Sequence, residues 1–216
     1  MEIMELIEQN RVIAIVRGMH PDQMAPLARA LERGGIRMME ITFNQNAPET
    51  FQNTVSAIRT LSQNMRDMAI GAGTVMTLEQ LHMAADVGAR YIISPDVNPA
   101  LIAETKRLGL TSLPGAMSPT EIVTAWNAGA DAVKVFPIGD LGVGYLKAIR
   151  APLSHIPLIA VGGVNERNCA DFLRAGAIGV GVGGQLVNRE WIDAGEFYKI
   201  ASLAGKIAQA AQNAVK

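Results

Sequence analysis

Short apolar runs recur along the chain, and between them lie longer stretches in which apolar positions return every three or four residues. The runs are VIAIV (12–16), IRMMEIT (36–42), MAIGAG (68–73), YIIS (91–94), LTSLPG (110–115), AVKVF (132–136), PLIAVGG (157–163) and IGVGVGG (178–184). Continuous runs of this length predict strands of a buried parallel sheet. The stretches between them include PDQMAPLARALERGG, APETFQNTVSAIRTLS, TLEQLHMAADVGA, NPALIAETKRLG and SPTEIVTAWNAGA. Each carries a Pro, Thr, Ser or Asn cue where a helix would start, and most close on Gly, as helix ends do.

Eight strands with interleaved helices is the count of a (β/α)8 TIM barrel, here with a further helix ahead of the first strand and another after the last. No Pro/Ser-rich linker or charge block divides the chain, so residues 1–216 are expected to form a single domain, a length α/β barrels occupy with one core. The recurring AGA, VGA and RAGA before strands echo a repeated unit. An open doubly wound sheet satisfies the same alternation, because periodicity does not report closure. Either architecture puts function at the carboxyl ends of the strands.

Composition narrows the class. Hydrophobic residues at 49% supply ample core, and 19 Lys+Arg against 20 Asp+Glu leave no basic field to invite nucleic acid. The segment MEIMELIEQN carries acids where a signal peptide carries bases, and no run approaches about 18 uninterrupted apolar residues, so a soluble cytoplasmic protein with no membrane partner is expected. The single Cys169 excludes an internal disulfide and a cysteine-based metal cage; in NERNCADFLRAG it reads as a small core residue of an amphipathic helix. His20, His82 and His155 are scattered among loop and helix patterns and support neither a triad nor a metal site. Met38 and Met39 read as core filling.

One residue disturbs this pattern. AVKVF is fit for the middle of a buried strand, yet it carries Lys134. Burying an ammonium costs several kcal/mol in effective terms unless it is paired or gives up its proton. Other polar residues stand at the ends of the apolar runs: Arg17 in VIAIVRG, Glu40 in MMEITFN, Thr74 in GAGTV, and Pro95 and Asp96 in ISPD. Strand residues alternate between faces, so Met38, Glu40 and Thr42 share one side, and Ala132, Lys134 and Phe136 share one side. If those sides face the barrel interior, Glu40 and Lys134 meet. Lys134 is then either a structural partner of Glu40, a side chain snorkelling to the rim, or a neutral amine able to attack a ketone and form a Schiff base. Glu40 taken alone fits a proton-transfer role or a cap, and Arg17 fits anion binding or a salt bridge.

The clusters VGGV (161–164) and GVGVGG (179–184) end the last two runs, the corner where barrels bind phosphate through backbone N–H groups and a helix N-terminus. Tight turns and close packing are the alternative reading of these glycines. No GxGxxG follows the first strand with an acid about 20 residues on, so a nicotinamide cofactor is not expected. Two rivals to a Schiff-base enzyme remain open at this point. One is a barrel that isomerises or epimerises a sugar phosphate with Glu40 as base; the other is a non-catalytic barrel that senses an anionic metabolite.

The series VIAIVRG, GGIRMMEITF, IGAGTVMT, YIISPD, LPGAMSPTE, AVKVFPIGDLGVGYLKAI, AVGGVNERN and AGAIGVGVGG closely resembles the class I 2-keto-3-deoxy-6-phosphogluconate (KDPG) / 4-hydroxy-2-oxoglutarate (KHG) aldolases, from about residue 8 to about residue 188. The resemblance implies a barrel, commonly a homotrimer, that cleaves a 2-keto-3-deoxy sugar acid phosphate to pyruvate and an aldehyde such as glyceraldehyde 3-phosphate. By motif, it implies that Lys134 carries the Schiff base and Glu40 shuttles protons. It further implies that Thr74 and Arg17 hold the pyruvate carboxylate or neighbouring oxygens, that Pro95 and Phe136 are pocket walls, and that Gly162, Gly163, Gly183 and Gly184 form the phosphate corner. No cofactor or metal is expected, because the iminium does what a Lewis acid would do. The chain departs from better-known members at three positions: Asn44 where some carry an arginine, Val161 where many have a threonine, and Gly184 where many have a serine. Two hydroxyl donors that could meet a phosphate are thus missing, and Arg17 is left with more of the anion recognition.

Overall fold

Pro114 interrupts one of the eight apolar runs, and the interruption is where the sheet meets itself. The computed structural model describes residues 1–214. Its strands are β1 (Val12–Val16), β2 (Met38–Thr42), β3 (Ala69–Gly73), β4 (Tyr91–Ile93), β5 (Thr111–Leu113), β6 (Gly115–Ala116), β7 (Val133–Val135), β8 (Leu158–Val161) and β9 (Gly179–Val182). They pair in parallel in the order β5-β4-β3-β2-β1-β9-β8-β7-β6. The run at 110–115 is therefore two short strands. β5 pairs with β4, and β6 pairs with β7.

The proline brings no N–H to the ladder. Its carbonyl nevertheless accepts from the Lys134 N–H at 2.8 Å, and the Ser112 carbonyl accepts from Asp131 N–H at 3.0 Å. Residues 111–116 thus join the two ends of the sheet, which makes it a barrel and sets aside the open-sheet alternative.

Side-chain alternation splits the apolar residues into two layers. Ile13, Met38, Ala69, Tyr91, Ile93, Leu113, Ala132, Ile159 and Val161 fill the barrel interior. Their neighbours in sequence, such as Val12, Met39, Ile70, Ile92 and Val133, pack outward against the helices. Met38 and Met39 are both fully buried but in different layers. Helix α1 (Ile3–Asn10) closes the amino-terminal end of the barrel by adding Ile3 and Ile7 to the interior.

Several of the outer helices begin where the sequence carries capping chemistry. The outer helices are α2 (Pro21–Arg33), α3 (Phe51–Asn64), α4 (Leu78–Ala85), α5 (Pro99–Arg107), α6 (Pro119–Asn127), α7 (Gly142–Arg150), α8 (Cys169–Arg174), α9 (Arg189–Asp193) and α10 (Phe197–Asn213). Thr77 caps α4, Asn98 caps α5, and Ser118 with Glu121 forms a capping box on α6. Cys169 is buried at the start of α8, and its burial pushes the thiol pKa up. Among the described residues no helix is long and apolar enough to cross a membrane.

Small residues on β3 shape the interior. A Cβ on Gly71 would fall 2.3 Å from the ring of Tyr91, which pairs β4 to the same part of the barrel. Overpacking of that kind costs about 1–3 kcal/mol when the neighbour can move at all. The glycines of IGAGT therefore leave room for larger side chains from the adjacent strands.

Candidate active site

Glu40 is the third residue of β2, in register with Ile15 of β1 and Gly71 of β3, and Lys134 is the central residue of β7. Both project into the barrel above the apolar interior layer, and both are nearly sealed, at 2% and 7% exposure. They share the carboxyl-terminal mouth without forming an ion pair: among the described residues the salt bridges all lie elsewhere, and Glu40 Oε2 has no hydrogen-bond partner. The expectation of a structural Glu40–Lys134 pair is not met. A carboxylate and an amine have been buried side by side without being spent on one another.

Burial sets the protonation of both groups. It raises the Glu40 pKa above the ordinary carboxylate value, against the opposing pull of the Lys134 and Arg17 charges. It lowers the Lys134 pKa below the ordinary lysine value; Glu40 opposes the shift, Arg17 adds to it, and Asp96 opposes it weakly. The result favours a neutral acid and a neutral amine over what either group would adopt in water. The Lys134 ammonium position lies 4.8 Å from the centroid of the Phe136 ring.

The remaining residues singled out from the sequence surround this pair. A cavity of about 470 Å³ is lined by Arg17, Glu40, Thr74, Pro95, Lys134, Phe136, Gly162, Gly163, Gly183 and Gly184. All ten come together. Arg17 follows β1 at the exposed rim, and with Lys134 it supplies the cationic side chains of the wall. Asn44 is exposed and lines a separate cavity of about 310 Å³ between α2 and α3, so it does not replace an arginine at this mouth. Thr74 follows β3 with φ 54°, a left-handed conformation that costs a branched residue about 1–3 kcal/mol.

The glycine corner is held by close backbone contact. Gly162 and Gly163 have φ 90° and 77°, and their loop runs against residues 136–139, with Gly139 N–H donating to the Gly162 carbonyl at 2.7 Å. A Cβ on Gly163 would meet the Gly139 Cα at 2.8 Å, and one on Gly162 would meet the Phe136 ring at 3.0 Å. Gly184 differs, since nothing lies within 4 Å of where its Cβ would stand. The helices that follow, α8 and α9, begin only at Cys169 and Arg189. The corner thus presents loop backbone, not the helix N-terminus expected from the sequence.

Sequence reasoning missed part of the wall. Ile15, Val164, Gly181 and Gln185 also line the cavity. Ile15 could have been found by alternation, since Ile13, Ile15 and Arg17 share a face. Gln185 is the first side chain with hydrogen-bonding groups after the glycine cluster. Val161, noted as a departure, is a buried apolar wall. The histidines are elsewhere: His20 caps α2, His82 lies 3.2 Å from Glu104 at the surface, and His155 meets the edge of Trp126. Among the described residues no cluster of three or more His, Cys, Asp or Glu is arranged to hold a metal ion.

The chain is similar to known proteins over nearly its whole length. The family model for KDPG and KHG aldolases matches residues 3–203. The 2-dehydro-3-deoxy-phosphogluconate aldolase of Treponema pallidum is 34% identical over 208 residues, 96% of each chain. A probable 2-dehydro-3-deoxy-6-phosphogalactonate aldolase of Rhizobium meliloti is 37% identical over 179 residues, 82% of each chain. The crystal structure of the KDPG aldolase from Legionella pneumophila, with pyruvate captured at low pH as a covalent carbinolamine intermediate, superposes with a TM-score of 0.86 at 27% identity, covering 96% of this chain and 98% of that one.

Proposed function

Because the chain belongs to the KDPG and KHG aldolase family, we propose that it cleaves a 2-keto-3-deoxy-6-phospho sugar acid reversibly to pyruvate and glyceraldehyde 3-phosphate through a Schiff base on Lys134. The substrate is KDPG or its galactonate epimer, with 4-hydroxy-2-oxoglutarate as a further substrate giving pyruvate and glyoxylate. The observation that carries this reading is the sealed, unpaired juxtaposition of Lys134 and Glu40 at the floor of one cavity.

The neutral Lys134 amine attacks the C2 carbonyl, and the carbinolamine loses water to give a protonated imine, with Glu40 moving the protons directly or through a water. Glu40 then takes the proton of the C4 hydroxyl as the C3–C4 bond breaks. The bonding pair flows to the iminium nitrogen, the aldehyde leaves, and an enamine of pyruvate remains on Lys134. A proton returns to C3, water attacks C2, and pyruvate departs. Burial suits both groups to these steps, since it favours the free amine on Lys134 and brings the Glu40 pKa upward from the acidic range.

Arg17 and Thr74 hold the keto-acid carboxylate or the oxygens beside it, Pro95 and Phe136 wall the reacting carbons, and the loop backbone at Gly162, Gly163, Gly183 and Gly184 receives the phosphate. The barrel with its flanking helices α1 and α10 acts as one domain, which we read as a cytoplasmic homotrimer by resemblance to the family.

Intact-protein mass after incubation with pyruvate and borohydride tests the central claim. A pyruvyl increment located by digestion on the Lys134 peptide is expected. Folded protein that acquires no adduct would overturn the Schiff-base assignment.

A further inference from the structure

We infer that Gln80 and Gln45 form a positioning relay that holds Thr74 in its place on the cavity wall and thereby sets the affinity for the keto-acid head; this rests on the aldolase reading above. Thr74 is one of two non-glycine residues with positive φ among the described residues. A branched side chain seldom adopts that conformation, and it persists only where the surroundings over-determine it.

The determinants can be traced atom by atom. The Thr74 carbonyl accepts from Gln45 Nε2 at 2.7 Å. Gln45 Oε1 accepts in turn from Gln80 Nε2 at 2.9 Å, and Gln80 Oε1 accepts from the Met76 N–H at 2.8 Å. The Gln80 N–H donates to the Thr77 hydroxyl at 3.2 Å, which ties the relay to the cap of α4. Gln80 is only 2% exposed. The chain of bonds has one polarity: the Met76 N–H requires an oxygen of Gln80, so the other amide position must donate, and Gln45 must then turn its own donor to Thr74.

Neither glutamine lines the cavity, so neither touches substrate. Their action passes through Thr74. Gln45 stands in the loop after β2, the strand that carries Glu40, and Gln80 stands on the helix after β3. The relay therefore couples the loop beside the proton shuttle to the loop that presents Thr74. Without the bond to its carbonyl, Thr74 relaxes toward negative φ, and the rotation carries its side chain off the wall.

Two variants separate positioning from scaffolding. Gln45→Glu keeps an acceptor for Gln80 Nε2 but turns a carboxylate oxygen toward the Thr74 carbonyl. Gln45→Leu removes both bonds at similar size. Borohydride trapping is followed at a series of pyruvate concentrations, with thermal midpoints recorded beside it. For Gln45→Glu we expect the half-saturating pyruvate concentration to rise roughly tenfold, the loss that follows one displaced hydrogen-bonded contact, with the saturated rate and thermal midpoint near wild type. Gln45→Leu shows the same rise even where its thermal midpoint falls. Half-saturation within about twofold of wild type in folded Gln45→Glu would overturn the relay, while trapping of the wild type upholds the Schiff-base reading. Absence of trapping in the wild type itself overturns both.

Discussion

The carboxylate of Glu40 fills the space that a side chain at residue 73 would need. An ideal Cβ on Gly73 would stand 1.7 Å from Glu40 Oε1, 2.3 Å from Cδ and 2.4 Å from Cγ. Gly73 ends β3 directly across from Thr42 of β2, so the glycine is one wall of the seat in which the carboxylate rests. Together with the fit of Tyr91 over Gly71, it gives the two glycines of IGAGT a purpose that backbone freedom does not, since neither has positive φ.

Gly73→Ala is accordingly expected to act as a lesion of Glu40. The methyl group must displace the carboxylate, and a misplaced general acid–base group forfeits about 10²–10⁴-fold in rate. Lys134 on β7 is untouched, so the variant still acquires the pyruvyl adduct under borohydride, though more slowly. Steady-state turnover measured beside the trapped mass checks this; near-normal kcat would show that Glu40 does not need its seat.

Lys134→Met should be inactive and more stable. The substitution keeps the unbranched shape and removes an amine whose burial is not offset by an ion pair, so a gain of about 1–3 kcal/mol is expected near neutral pH. The sign follows from the lowered pKa. The folded protein pays for the ammonium at pH below the folded pKa, pays less as pH rises through it, and pays nothing above the ordinary value of 10.5. Thermal melts across pH should therefore show the stability gain of the variant shrinking as pH rises. A gain that grew with pH, or a loss at neutral pH, would contradict a lysine kept for chemistry at the expense of stability.

The pH dependence of adduct formation probes the same group in the working enzyme. The nucleophile is the free amine, so trapping with pyruvate should climb with pH through the lowered pKa of Lys134 and level off below the ordinary lysine value of 10.5. Arg17 depresses that pKa and Glu40 raises it. Arg17→Leu should therefore move the rising limb to higher pH, and Glu40→Gln should move it to lower pH. Limbs that failed to move in opposite directions would mean that neighbouring charge does not tune the amine.

Much of this site was legible along the chain because its logic is local. Strand alternation put Glu40 on one side with Met38 and Lys134 on one side with Ala132, and the structure places Met38 and Ala132 in the interior layer. The apolar runs located the strands to within a residue or two, with Val12–Val16 met at both ends. What escaped was non-local. Closure depends on residues 111–116 pairing with β4 and β7 at once, and no periodicity encodes that. The small residues at 71 and 73 are explained only by Tyr91 and Glu40 arriving from neighbouring strands, and the glutamine relay joins positions 35 residues apart. The glycine clusters did lead to the cavity wall, yet the helix N-terminus expected beside them is not there.

That corner yields a final expectation, because its glycines are not equivalent. Gly163 has φ 77° and would drive a Cβ to 2.8 Å from the backbone of Gly139, whereas Gly184 has open space around it and no positive φ. Gly163→Ala should therefore destabilise the fold and weaken all substrates together. Gly184→Ser should fold normally and add a hydroxyl at the corner proposed to receive phosphate. One added hydrogen bond is worth about 0.5–1.5 kcal/mol, so its KM for a phosphorylated keto acid should fall by roughly two- to tenfold. The KM for 4-hydroxy-2-oxoglutarate, which carries no phosphate, should stay where it was. A parallel change for both substrates would place the phosphate away from Gly184 and leave the backbone at Gly162, Gly163 and Gly183 as its seat in this corner.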